Sequence, residues 1–175
     1  MALVVFMRGV NVGGHKAFQP SALARELATF DVVNVGAAGT FVIRKTVGVA
    51  TLRAELLRRL PFKAELMICR ARDLMDLASG EPFRDAPSDK DARRFVSVMA
   101  KRPRTLPRLP ISQPGGDKWQ VRIIGVSGRF ALSVWRRLGR TIVYPNEVVE
   151  KNLAVSATTR NWNTISTIYD ILKSR

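Results

Sequence analysis

Three groups of residues in this chain have types and spacing that can do chemistry. The first is the stretch Arg8-Gly9-Val10-Asn11-Val12-Gly13-Gly14-His15-Lys16. Its glycines let backbone N–H groups point inward at φ values that other residues avoid. Arg8 and Lys16 flank the glycines, and Pro20-Ser21 opens a helix just beyond. Together these suit an anion. The spacing is neither G-x-G-x-x-G nor G-x-x-x-x-G-K-[ST], so neither dinucleotide nor Walker-type binding is supported. The competing reading is a glycine-rich connector in which Asn11 satisfies local backbone. His15 can donate to an anion or act as a general acid, although a lone loop histidine is more often solvated.

The second group is Arg160-Asn161-Trp162-Asn163-Thr164. Thr164 or Asn163 can cap a final helix by accepting its first free N–H groups. Trp162 suits a core anchor better than a stacking platform. Arg160 has no carboxylate nearby in sequence and faces either a ligand or a distant acid. The sharpest hypothesis brings Arg8, Asn11, Arg160 and Asn163 to one anion pocket between two halves of the chain. Gly9, Gly13, Gly14, His15, Lys16 and Asn161 then complete the ligand-binding set.

The third group is cationic: Arg102, Arg104, Arg108, Arg136, Arg137 and Arg140. Such a set can track the phosphates of a nucleic acid. Catalysis has far less support. His15 and Cys69 are the only histidine and cysteine, far apart, so they form no recognisable nucleophile pair. Asp73 and Asp76 read as ordinary helix surface, and no ligand cluster points to a metal. No cofactor is expected.

The elements that must position these groups follow from apolar spacing. Ala2 to Met7 reads as a buried strand. Pro20-Ser21 starts a helix with Leu23, Leu27 and Phe30 on one face. Val32 to Val35 and Thr40 to Lys45 read as strands, Gly48 to Leu60 as a helix, and Lys63 to Arg70 as a fourth strand. This β-α-β-β-α-β order is the ferredoxin-like unit. A short helix follows at Ala71 to Ser79. The polar, proline-bearing stretch 81–92 is the best boundary in the chain, separating an N-terminal half, 1–80, from a basic C-terminal half, 93–175.

The second half restarts with a strand from Phe95 to Ala100. Pro103, Pro107, Pro110 and Pro114 then forbid a helix and favour extended structure. A hairpin follows, Trp119 to Ile124 and Arg129 to Arg136, turning at Ser127-Gly128. Tyr144-Pro145-Asn146 opens a short helix, and Thr164 to Lys173 forms the last. The fold class is therefore α+β: two ferredoxin-like halves, the second degenerate, with antiparallel sheets and helices on one face.

An RNA-recognition motif shares this order and stacks bases on aromatics of its first and third strands. Here those strands offer only Phe6 and Phe41, and the motif's aromatic signature is absent. Gly128 to Trp135 catches part of it, with Phe95 on the neighbouring strand.

Two segments together resemble a bacterial family, domain of unknown function 1697. Phe6-Met7-Arg8-Gly9-Val10-Asn11-Val12-Gly13-Gly14 resembles its R-G-(I/V)-N-V-G-G opening. Thr158-Thr159-Arg160-Asn161-Trp162-Asn163-Thr164 resembles its closing (T/A)-R-N-W-N-T, and Tyr144-Pro145-Asn146 fits its tyrosine-proline turn. The resemblance implies a duplicated ferredoxin-like architecture and no particular activity. This chain departs from the family in two places. Gly36-Ala37-Ala38-Gly39-Thr40 stands where a polar Q-S-G-N stretch is usual, and the proline-rich connector replaces a helix.

The bulk numbers add one strong constraint. The net charge is +15 over 175 residues, and 21 of the 29 basic side chains are Arg. Arg binds phosphate through a planar fork of donors, which favours nucleic acid or a small phosphorylated ligand as partner. A GC-rich composition bias explains the same number without any partner. The charge is uneven, +4 over residues 1–88 and +11 over 89–175. The first apolar run is too short to span a bilayer or serve as a signal-peptide core. With one cysteine and no expected membrane association, the cytoplasm is the expected location.

Overall fold

The run Leu3–Arg8 is apolar on both sides because both of its faces are covered. It forms β1, in which Leu3 to Met7 are all at most 3% exposed. The computed structural model describes residues 1–11 and 18–174. The chain divides into two compact units, Met1–Ala78 with Ser166–Arg175, and Ser79–Ile165.

In the first unit β1 is followed by α1 (Pro20–Glu26), β2 (Val32–Asn34), β3 (Thr40–Ile43), α2 (Val49–Arg59), β4 (Glu65–Arg70) and α3 (Ala71–Ser79). Pro20 sits in the first turn of α1, where its missing N–H costs nothing. The four strands pair antiparallel in the order β2-β3-β1-β4. Register places Val5 between Phe41 and Ile68, and Leu3 opposite Ile43. These side chains share one face with Met7 and Leu66 and meet Leu23 and Leu27 before β2 and Leu52 and Leu56 of α2. Burying each such Leu, Ile or Phe contributes about 1.5–3 kcal/mol, which holds the short helices to the sheet.

Gly39 shows why the turn before β3 is built from small residues. Its φ is +72°, and a Cβ there would lie 2.8 Å from both Met7 Cβ and Val10 Cγ2. Its carbonyl accepts a hydrogen bond from Met7 N–H at 2.8 Å. Only glycine fits.

The second unit contains β5 (Arg93–Met99), β6 (Ile111–Gln113), β7 (Val121–Ser127), β8 (Phe130–Trp135), α4 (Pro145–Leu153) and β9 (Ala157–Asn161). α5 (Trp162–Lys173) begins in this unit, and its residues from Ser166 onward count with the first. The strands pair antiparallel in the order β6-β7-β8-β5-β9. Without β6, the order β7-β8-β5-β9 repeats that of the first sheet, reading each strand by its place in sequence. Val148, Val149 and Leu153 of α4 pack on Met99, Val121, Ile123, Ala131 and Ala157 from one face of this sheet.

Two strands go beyond the sequence expectation, which reads the connector only as extended and the closing segment as a cap. β6 lies inside the proline-rich connector, between Pro110 and Pro114, and pairs with β7 on one side only. An edge strand tolerates flanking prolines because one of its sides needs no ladder. β9 occupies Ala157–Asn161, which reads as a cap and loop in isolation because it has no apolar alternation. Its ladder with β5 makes it a strand, so the last helix starts at Trp162 and not at Thr164. Among the described residues no helix is long and apolar enough to cross a membrane.

Candidate anion-binding site

Antiparallel pairing of β5 with β9 sets Phe95 opposite Asn161. The start of β5, Arg93-Arg94, therefore lies beside the end of β9 and the first residues of α5. A cleft of about 380 Å³ opens there, lined by Arg93, Arg94, Asn161, Trp162 and Asn163 and by the loop Pro87 to Asp89 with Ala92. Asn161 caps α5: its Oδ1 accepts hydrogen bonds from Thr164 N–H at 2.9 Å and Thr164 Oγ1 at 3.2 Å. An Asn in this role satisfies a free helix N–H and keeps its own Nδ2 hydrogens as donors. The cap is Asn161, where the sequence suggests Thr164 or Asn163, because the strand-to-helix switch falls two residues earlier.

Arg93 and Arg94 are exposed and have no carboxylate partner among the described residues. The Arg94 guanidinium lies 5.9 Å from the Phe83 ring centroid. Phe83 is itself buried and meets Trp162 edge-on at 5.1 Å. Trp162 is thus a packing anchor that fixes the floor beside the cleft.

Asp89 is the one carboxylate on the cleft wall, and its Oδ2 is 3.3 Å from Arg136 Nη1. Arg136 is anchored further by Nε to Trp119 O at 2.8 Å and by Nη2 to Asp117 O. Its guanidinium stacks 4.0 Å from the centroid of Trp119, and Arg122 lies 4.3 Å from the same ring. Both cations are favoured by the negative quadrupole of the ring. Arg136 is accordingly a structural brace, and of the six cationic candidates it is the one withdrawn from solvent.

The other five are exposed, and they fall at two ends of the second sheet. Trp135 pairs with Arg93, so Arg137 and Arg140 leave β8 at the cleft end. Arg102 leaves β5 at the opposite end, within 4.0 Å of where a Cβ on Gly128 of the β7–β8 turn would stand. Arg104 and Arg108 follow on the connector to β6. The six do not form one stripe.

The residues of the glycine segment are committed locally as far as they are described. Arg8 pairs across the ladder with Glu65, Nη1 to Oε2 3.1 Å. Gly9 has φ +66° and Asn11 φ +55°. Asn11 donates from Nδ2 to Ala37 O at 2.8 Å and accepts Phe18 N–H at Oδ1 at 3.0 Å, the local backbone role weighed above. Gly13, Gly14, His15 and Lys16 lie outside the described residues.

Arg160 is 8% exposed, opposite Val96 on the face of the second sheet turned away from α4. Its Nη1 donates to Thr158 Oγ1 at 2.8 Å and Thr159 O at 3.0 Å. Burial lowers its pKa to about 10, since the low-dielectric surroundings disfavour the cation. It does not line the cleft. The tyrosine-proline turn and the closing segment do meet: Thr159 Oγ1 donates to Asn146 Oδ1 at 2.8 Å and lies 2.6 Å from Ser97 Oγ.

The cleft residues that sequence reading passes over are Arg93, Arg94 and Asp89. The available signal was an adjacent arginine pair opening a strand directly after a polar boundary. Among the described residues no group of three His, Cys, Asp or Glu side chains is placed to hold a metal ion.

The conserved bacterial protein SP0830 from Streptococcus pneumoniae has a similar structure, with a TM-score of 0.60 over 98% of each chain at 15% identity. That identity speaks for the fold alone. No curated protein matches this chain. A family match over residues 1–125 takes in the glycine-rich opening and Arg93-Arg94 and stops short of the segment from Thr158 to Thr164. Because the match covers well over half its length, the chain belongs to the family described as protein of unknown function (DUF1697).

Proposed function

We propose that this protein binds a small phosphorylated or similarly anionic ligand in the cleft formed by Arg93, Arg94, Asn161 and Asn163. One observation carries the reading: two exposed arginines without acid partners stand beside a helix-capping Asn, and the only wall carboxylate is already held by Arg136. Guanidinium groups match phosphate oxygens as planar forks, and the start of α5 adds favourable potential for negative charge. The repeated strand order supports reading the chain as a duplication of one ferredoxin-like unit. The halves are then 1–80 and 93–175, with 81–92 between them.

A hydrogen bond to a charged group contributes about 1.5–3 kcal/mol, so Arg93→Ala or Arg94→Ala should weaken ligand affinity roughly 10- to 100-fold. The measurement is a thermal-shift titration with a panel of phosphorylated metabolites, because a ligand that binds only the folded state raises Tm. Both variants keeping the wild-type shift would remove the cleft from consideration.

A second reading, non-specific nucleic-acid binding, is favoured by the connector at the other end of the sheet. Lys101, Arg102, Arg104 and Arg108 are exposed there, and no acidic residue occurs from Ala92 to Gly116. Base stacking plays no part in it, since Phe6 and Phe41 are 0% exposed and Phe130 is 4% exposed. If these four cations contact phosphates, single-strand affinity should fall with salt on a log–log slope of about −3. Neutralising all four should flatten that slope; affinity that ignores salt would exclude this mode.

A further inference from the structure

We infer that the cleft ligand carries a chain of two or more phosphates, with Arg93 and Arg94 holding the first and Arg137 and Arg140 the next. The inference rests on the cleft reading above and adds the class of ligand.

The register of the second sheet supplies the geometry. Arg93 pairs directly with Trp135, so the strand carrying Arg93 and the segment leaving β8 are neighbours across one ladder step, about 5 Å. Arg136 N–H continues the ladder to Gln120 O at 2.8 Å, while its side chain reaches Asp89 on the cleft wall. The backbone of residue 136 is thereby tied to the rim of the cleft. Arg137 follows immediately. Gly139, at φ +71°, turns the chain before Arg140. Trp135 Nε1–H donates to Val143 O at 2.9 Å, which fixes the far side of this turn against the same strand end. Arg137 and Arg140 are exposed and have no carboxylate partner among the described residues.

Charge then selects the ligand. This end of the sheet carries Lys90, Arg93, Arg94, Arg136, Arg137 and Arg140 against Asp89 and Asp91, a formal excess of +4. Asp117 and Lys118 beside Trp119 cancel each other. A phosphate monoester carries at most two charges, so it leaves half the excess unneutralised. A diphosphate or triphosphate matches the charge and offers one phosphoryl group to each arginine pair, which is electrostatic complementarity. Bidentate guanidinium contacts on successive phosphoryl groups need no further protein group.

The experiment compares orthophosphate, pyrophosphate and tripolyphosphate by calorimetric titration at constant ionic strength. It uses the wild type, the double variant Arg137→Ala/Arg140→Ala, and Arg93→Ala. The wild type should bind tripolyphosphate at least 30-fold tighter than orthophosphate. The double variant should lose 10- to 100-fold for tripolyphosphate and stay within twofold for orthophosphate. Arg93→Ala should weaken both. A wild type with equal affinity for the two anions, or a double variant indistinguishable from wild type, overturns the polyphosphate assignment and leaves the cleft reading intact. No binding of any of the three anions overturns both. A nucleoside triphosphate run alongside identifies the source: binding tighter than tripolyphosphate marks a nucleotide, binding weaker marks the inorganic chain. Either order supports the shared chemistry.

Discussion

Trp119→Ala should lower the unfolding free energy by about 3–5 kcal/mol, the usual cost of emptying a large aromatic site. Trp119 is 4% exposed, and both the Arg122 and Arg136 guanidinium groups lie against its ring. Without the ring, both cations lose their stacking surface, and Arg122 keeps one neutral anchor, Nε to Ser112 Oγ at 3.0 Å. Arg136 keeps backbone acceptors at Trp119 O and Asp117 O but loses the surface that orients it toward Asp89. The damage should therefore be felt at two levels. Denaturant unfolding should show a lower midpoint, and ligand stabilisation through Arg93 should weaken because Asp89 is released to compete for the cleft arginines. Trp119→Phe retains a ring face and should recover most of both. A loss smaller than about 1.5 kcal/mol in the Ala variant would show that the two arginines repack and that the ring is not the brace described here.

The second large effect runs in the opposite direction. Arg160→Met should stabilise the protein by roughly 1–3 kcal/mol, because a methionine fills a similar path on an apolar face without a charge to desolvate. Burial lowers the pKa of Arg160 from its ordinary value to about 10 on folding, so the folded state holds this proton less tightly than the unfolded chain. The penalty is therefore fully present below about pH 10. It is shed as pH rises above that, because the guanidinium of the unfolded chain then loses its proton as well. Part of it is offset at neutral pH by the hydrogen bonds from Nη1 to Thr158 Oγ1 and Thr159 O. Urea unfolding of the two proteins should show the variant more stable at pH 7 and the difference shrinking above pH 10. A variant less stable at pH 7 would mean that those bonds outweigh the desolvation cost. Ordinary selection for stability would not retain a guanidinium at this depth, which makes Arg160 a position to examine once a ligand is in hand.

The sequence by itself determined the elements whose own patterns are strong. Leu3 to Met7, Leu66 to Cys69 and the β7–β8 hairpin are apolar runs bounded by turn residues, and a buried strand is the conformation such runs favour. Pro20, Pro145 and the Leu52–Leu56 spacing likewise fixed three helices locally. Charge asymmetry was also legible, because it is a sum over residues and needs no coordinates. Tertiary structure alone decided the rest. Thr158, Thr159 and Arg160 are polar and show no apolar alternation, yet the exposed edge of β5 gives their backbone a ladder, and an unpaired backbone costs more than a polar side chain facing a sheet. Register in turn decided which cations share a surface. Arg136 and Arg137 are neighbours in sequence, but one is locked on Trp119 and Asp89 while the other is open to solvent. Arg93 and Asn163 line one cleft only because β5 and β9 run antiparallel. A side chain's role depends on which strand lies beside it, and pairing between strands more than 60 residues apart is set by the packing of the whole unit, which no local window of sequence contains.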